Sequence, residues 1–327
     1  MNRRIPYYDT IRLLAIFWVY TTHFIARFDS DLFRFWSEKP TSLLLEGLTG
    51  KAAVAMFAVI LGYFASAPSK KEISTGHYLI KRYLYFVICG LVINSLYAVF
   101  GPLGVIEADP SLLDVIKTSL MIGDEIFPTY WCMPAFLYGS VLCFINSKYG
   151  LGVMEVAVQA LILILLGCTW VPICLFGNIL SLLLREDRLS RYLKNGWLQA
   201  TLLVAVFFLV KHSESTVTYL VDGLCSVLLL LIIAYNAPVQ NVLNHKFLAG
   251  LGKNCMAIYL IHPLVYNAAG PGLFQLLAAV PYRFRFPAVW LLCFALIVLC
   301  SYPVMAVINW SNGKVSKGIS CLFAQAA

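Results

Sequence analysis

The chain has 327 residues, 61% of them hydrophobic and only 12% charged, with a formal net charge of +8. Soluble domains carry about a quarter charged residues, so this chain has too little polar surface to cover a water-soluble core. It reads as an integral membrane protein, and its basic surplus has a topological origin that gives no reason to invoke nucleic acid as a partner.

Apolar runs near 6–26, 50–67, 78–100, 128–146, 149–167, 169–184, 196–210, 217–235, 247–277 and 287–310 are candidate membrane spans. The expected fold is all-α: a polytopic membrane helical bundle of about ten transmembrane helices forming one domain over residues 1–327. With the N-terminus cytoplasmic, fifteen Lys and Arg fall inside, among them Arg3, Arg4, Lys81, Arg82, Lys148 and Arg185, against eight outside. That bias places both termini in the cytoplasm. Residues 101–126, with Glu107, Asp109, Asp114, Asp124 and Glu125, then form an outer loop.

The first run, YYDTIRLLAIFWVYTTHF, carries Asp9, Arg12 and His23 inside an otherwise apolar segment. Ionisable groups within a bilayer are costly and mark a candidate site. On a helix Arg12 and His23 share a face about three turns apart, roughly 16 Å along the axis, with Asp9 one turn below Arg12. The run is long, lacks a small-residue cleavage pattern and carries charges, so it reads as part of the mature protein and not as a removable signal. Asp9 and Arg12 also fit a buried pair that only joins helices, and His23 alone fits a hydrogen-bonded interfacial histidine.

Further along, Lys81 and Arg82 open the third run, Trp131 lies in the fourth, and Glu155 and Asp222 sit in or near apolar runs without an assigned role. His77, His212 and His245 fall in polar stretches and read as solvated. The ninth run contains Tyr259 and His262, the latter just before Pro263. Packing is the default for Trp131 and Tyr259, with a sugar-stacking or acyl-pocket role second. His262 fits a catalytic role and the capping of a backbone carbonyl equally. The ten cysteines lack a C-x-x-C and read as small core residues. No histidine pair has metal-site spacing and no Gly-rich phosphate loop appears, so neither a metal nor a resident cofactor is expected.

The D-x-x-R-x10-H pattern of Asp9, Arg12 and His23 resembles the signature of the membrane-bound acyltransferase 3 family. KAAVAMFAVILGYFAS, with Phe57, Gly62 and Tyr63, resembles the family's second helix, and FPTYWCMPAFLYGSVL its Trp-centred fourth, with Trp131 in place. LFGNILSLLL is similar to a family helix with a glycine near its start, here Gly177, and LGKNCMAIYLIHPLV to the late pattern through Gly252, Ile258, Tyr259 and His262. Leu13, Leu61 and Thr129 depart from the family residues at their positions.

The resemblance implies transfer of an acyl group, usually acetyl from acetyl-CoA as co-substrate, to a hydroxyl of an envelope glycan or lipid-linked sugar. In size and layout the chain is similar to the family's O-antigen and enterobacterial common antigen O-acetyltransferases, which implies a multi-pass protein of the bacterial cytoplasmic (inner) membrane. His23 is the candidate base, because an imidazole accepts the proton of an attacking hydroxyl near neutral pH. Arg12 is open to two roles, holding a CoA phosphate or stabilising charge on the thioester oxygen, and its distance from His23 favours the first. Lys81 and Arg82 are further candidates for CoA, and Trp131, Tyr259 and His262 for the substrate pocket. The reading from another class is an exporter of a small acylated molecule or glycan, since a bundle with intramembrane charges also fits a transport path.

Overall fold

The computed structural model describes residues 5–29, 50–67, 73–102, 105, 110–122, 131–185, 192, 194–211 and 218–325. Among the described residues the longer regular elements are all helices: α1 (Pro6–Phe28), α2 (Gly50–Ala65), α3 (Thr75–Phe100), α4 (Leu112–Ser119), α5 (Met133–Tyr149), α6 (Val153–Leu165), α7 (Trp170–Leu183), α8 (Gly196–Lys211), α9 (Thr218–Ala234), α10 (Ala237–Leu243), α11 (Lys246–Gly252), α12 (Cys255–Leu276) and α13 (Tyr282–Gln325). The all-α expectation holds. Glu107, Asp109, Asp124, Glu125, Thr129 and His212 lie outside the described residues.

Each expected apolar run coincides with helix, but the lengths differ from ten simple spans. Among the described residues two helical stretches, Thr75–Phe100 and Tyr282–Ile319, are by themselves long and apolar enough to cross a membrane; the number reaches four if two bent helix pairs each count as one span. The 23-residue α1 falls short because Asp9, Arg12 and His23 lower its hydropathy. The run expected at 247–277 is broken at 253–254, after Gly252, into α11 and α12. The last helix runs for 44 residues, well beyond 287–310, a length of about 66 Å against a hydrocarbon core of about 30 Å. Trp131 lies in a turn just before α5 and not inside it: Pro134 is the second residue of that helix, a position that needs no backbone donor.

The chain forms two compact units. The first comprises Met1–Ile73 and Ala135–Gly252, the second Ser74–Pro134 and Lys253–Ala327.

In the first unit α2 packs most extensively on α7 and also touches α1 and α9. Glycines permit this closeness: a Cβ on Gly62 would overlap the carbonyl of Cys174, and one on Gly177 would overlap the carbonyl of Val59. Reciprocal glycine contacts of this kind bring two backbones together where lipid supplies no hydrophobic drive between helices. After α9 the chain bends by 100° into α10. Asn236 caps the new helix by accepting from Val239 N at 3.2 Å, and Gln240 Nε2 donates to the Ile233 and Ala234 carbonyls that end α9. Glu155, unassigned from sequence, stands in the first turn of α6, where a carboxylate meets the positive end of the helix dipole.

In the second unit α3 packs against α4, α12 and α13. Tyr97 Oη donates to the Leu260 carbonyl at 3.2 Å and joins α3 to α12. The stretch taken from sequence as a plain aqueous loop contains α4, whose Val115, Thr118 and Ser119 are buried. Asn94 Nδ2 donates to Ser119 Oγ at 2.9 Å, and Tyr83 Oη to the Leu120 carbonyl at 3.1 Å. Tyr83 precedes Asn94 by three turns of α3, so the segment after α3 doubles back along it. His77 belongs to the first turn of α3, where its N–H meets the capping Ser74 Oγ, and not to a loop; His245 is exposed between α10 and α11.

Candidate active site

Asp9, Arg12 and His23 all lie on α1, which runs unbroken from Pro6 to Phe28. The rise of an unbroken helix keeps Arg12 and His23 roughly 16 Å apart along the axis. Asp9 is buried in the first turn, and Arg12 Nη1 donates to its Oδ1 at 3.2 Å. The chain returns to this point late: a Cβ on Gly252 would overlap the Asp9 carbonyl, so α11 crosses α1 there with backbone against backbone.

Below the pair is an aromatic platform. The Arg12 guanidinium carbon lies 5.1 Å from the Phe64 ring centroid, near enough for cation–π attraction. Tyr8 stacks on Tyr63 with centroids 5.0 Å apart and meets Phe64 edge-on at 5.2 Å. Two aromatic doublets, Tyr7–Tyr8 on α1 and Tyr63–Phe64 on α2, thus pack together around the ring that Arg12 covers. Of the four, only Tyr63 was marked by the sequence pattern; the doublets themselves were the available signal.

His23 is half-buried. The hydroxyls just before it are turned back on their own helix, Thr21 Oγ1 to the Phe17 carbonyl at 2.7 Å and Thr22 Oγ1 to the Trp18 carbonyl at 3.1 Å. Among these three side chains the imidazole is therefore the one suited to move a proton.

The second unit gathers the remaining candidates. Tyr259 and His262 are buried on α12. Cys132 Sγ lies 3.3 Å from Tyr259 Oη, which puts Trp131, the neighbour of Cys132, beside the same tyrosine in the chain's path. His262 Nδ1 pairs with the Tyr259 carbonyl at 2.5 Å. In an ideal helix that carbonyl would accept from residue 263, but Pro263 has no N–H. His262 takes its place. A carbonyl only accepts, so Nδ1 carries the proton and Nε2 is the basic nitrogen of the neutral ring. Lys81 and Arg82 are half-buried near the start of α3, with the Arg82 guanidinium carbon 4.8 Å from the Phe86 centroid.

The structure thus joins Asp9 to Arg12 and sets His23 three turns away, all in the first unit. It joins Tyr259 to His262 and to the segment of Trp131 in the second, which also holds Lys81 and Arg82. Among the described residues no group of three His, Cys, Asp or Glu is placed to hold a metal ion.

A family model described as an acyltransferase domain, Acyl_transf_3, matches residues 5–306. The chain belongs to the acyltransferase 3 family. Neither a curated protein nor a solved structure matches it. Family membership and the apolar helices make it a membrane acyltransferase, and the matched region contains every residue of both clusters just described.

Proposed function

We propose that this acyltransferase moves an acetyl group from acetyl-CoA to a hydroxyl of a cell-envelope polysaccharide or its lipid-linked precursor. The observation that supports this best is the unbroken α1, which presents a guanidinium at one end and an imidazole roughly 16 Å farther along. CoA has its phosphates and its thioester at opposite ends of a long pantetheine arm, and this spacing suits such a donor. Arg12 takes a phosphate, and His23 serves the reacting end.

The chemistry closes on these groups. The acceptor hydroxyl oxygen attacks the thioester carbonyl, its proton passes to His23, and the carbon–sulfur bond breaks as CoA leaves as a thiolate that takes up a proton. A base of this kind accelerates transfer by about 10² to 10⁴. In this reading Trp131, Tyr259 and His262 contact the acceptor, and Lys81 and Arg82 add to the donor's basic rim.

The same reading places the protein in the bacterial inner membrane as a bundle of about ten passes with both termini cytoplasmic, the bent and short helices included. CoA then arrives from the cytoplasm, the side on which Arg12 stands, and the hydroxyl meets it farther out. Proteoliposomes supplied with acetyl-labelled acetyl-CoA and a lipid-linked or polymeric glycan should yield a labelled, alkali-labile ester and free CoA. Movement of an intact acylated molecule across the membrane without release of CoA would replace this reading with the exporter.

A further inference from the structure

The first unit carries a second arginine whose anchor, like that of Arg12, lies at the end of α2. Asn178, Ser181 and Arg185 recur at intervals of three and four, so they form one stripe that runs off the end of α7. Arg185 Nη2 donates to the Ser66 carbonyl at 2.6 Å and to Ser181 Oγ at 2.9 Å. Ser147 Oγ donates to the same carbonyl at 2.9 Å. Both hydrogens of one terminal nitrogen are thereby used, while among the described residues Nε and Nη1 have no partner.

Ser66 follows Phe64 by two residues, so the anchor of Arg185 is the end of the helix that carries the aromatic platform. Arg185 also lies within electrostatic reach of Tyr63. Arg12 stands over Phe64 on that platform. The two arginines differ in one respect: Arg12 is paired with a carboxylate, whereas the anchors of Arg185 are a carbonyl and a hydroxyl. Among the described residues no carboxylate pairs with Arg185, so an approaching anion meets a nearly neutral Asp9–Arg12 pair but an unpaired guanidinium charge at Arg185. The guanidinium is also held through Nη2 and so is oriented before a ligand arrives.

We propose that Arg185 is the second arm of an arginine clamp, with Arg12 as the first, and that the clamp takes the diphosphate of the CoA donor. This rests on the CoA reading above. A diphosphate carries two ionised groups, and one carboxylate-paired guanidinium leaves that charge uncompensated. Arg185 supplies a further positive charge and, at Nε and Nη1, N–H donors for charge-assisted hydrogen bonds.

The test is equilibrium binding of CoA and of 3′-dephospho-CoA to the full-length protein in nanodiscs, for wild type, Arg185→Gln and Arg185→Lys. Arg185→Gln should weaken both ligands about tenfold or more and by the same factor, and should reduce the salt dependence of binding. Arg185→Lys, which keeps the charge and a donor for Ser66, should lose less, and it carries the comparison should the glutamine variant fail to fold. Unchanged affinity, or a loss confined to CoA and so to the 3′-phosphate, overturns the clamp while leaving the donor reading intact. A loss with the wild-type salt dependence marks a purely structural arginine and also overturns it. A wild-type protein that binds neither ligand overturns the donor reading and the clamp together.

Discussion

Gly252 and Asp9, separated by most of the chain, meet backbone to backbone: a methyl group on Gly252 would overlap the Asp9 carbonyl oxygen. This contact fixes the first turn of α1, where Asp9 holds Arg12, and it gives a physical reason for a glycine at that position. Gly252→Ala should therefore lower stability by about 1–3 kcal/mol through overpacking and reduce transfer. Gly250, two residues away, has open space where its Cβ would stand, so Gly250→Ala should leave the unfolding temperature unchanged or slightly raised. Thermal unfolding of both variants in detergent checks the contrast, and equal losses would remove the contact from the argument.

His23→Ala should leave the protein folded and inserted yet lower acetyl transfer by about 10²-fold or more, since the role assigned to the imidazole is proton transfer and not packing. Turnover close to wild type would take His23 out of the mechanism. The readout is transfer rate at saturating acetyl-CoA, alongside the unfolding temperature.

Arg12→Lys keeps a positive charge near Asp9 but loses the planar fork. It should raise KM for acetyl-CoA more than it lowers kcat, because a phosphate contact is made equally in the ground and transition states. A fall in kcat at constant KM would instead place the guanidinium at the reacting carbonyl, and loss of folded protein would assign the Asp9 pair a structural role.

The pH response of α4 follows from its cap. Asp114 accepts from Ser111 Oγ at 2.6 Å and from Ser111 N at 3.1 Å, and these bonds hold its carboxyl below the ordinary carboxylate range. A depressed folded value means the contribution is present above the unfolded pKa and is lost as pH falls through the folded one. Ser111→Ala should thus lower the stability of this segment at neutral pH, and the gap from wild type should narrow on acidification. Hydrogen exchange of the α4 amides across the acid range measures this, and a gap independent of pH would discard the carboxylate from the cap.

Sidedness can be checked by replacing exposed Cys168 and Cys300 with Ser and then placing single cysteines at Leu112 and Val242, both exposed positions. In oriented vesicles an impermeant thiol reagent should reach residue 112 from the outer side and residue 242 from the cytoplasmic side. The reverse pattern would invert the topology and with it the end of α1 assigned to the donor.

Periodicity, charge content and one stripe of ionisable residues were enough to read from sequence an all-helical membrane chain and the positions of Asp9, Arg12 and His23. Those features are local: the turn of a helix fixes which residues share a face, and hydropathy fixes what its surroundings are. Local pattern also marked Gly62, Gly177 and Gly252 without saying why. Their reason is the partner backbone, contributed by residues more than a hundred positions away for the first two and at the other end of the chain for the third, and no local pattern encodes which helix will arrive.

The doubling back of the segment after α3 and the anchoring of Arg185 on Ser66 likewise depended on tertiary contacts. His262 shows the division most plainly. Its neighbour Pro263 made a missing backbone donor legible in the sequence, but only the fold showed that the imidazole turns back to fill that vacancy, leaving Nε2 as its basic nitrogen. Hydrogen-bond direction is decided by which groups are buried together, and burial is a property of the packed chain.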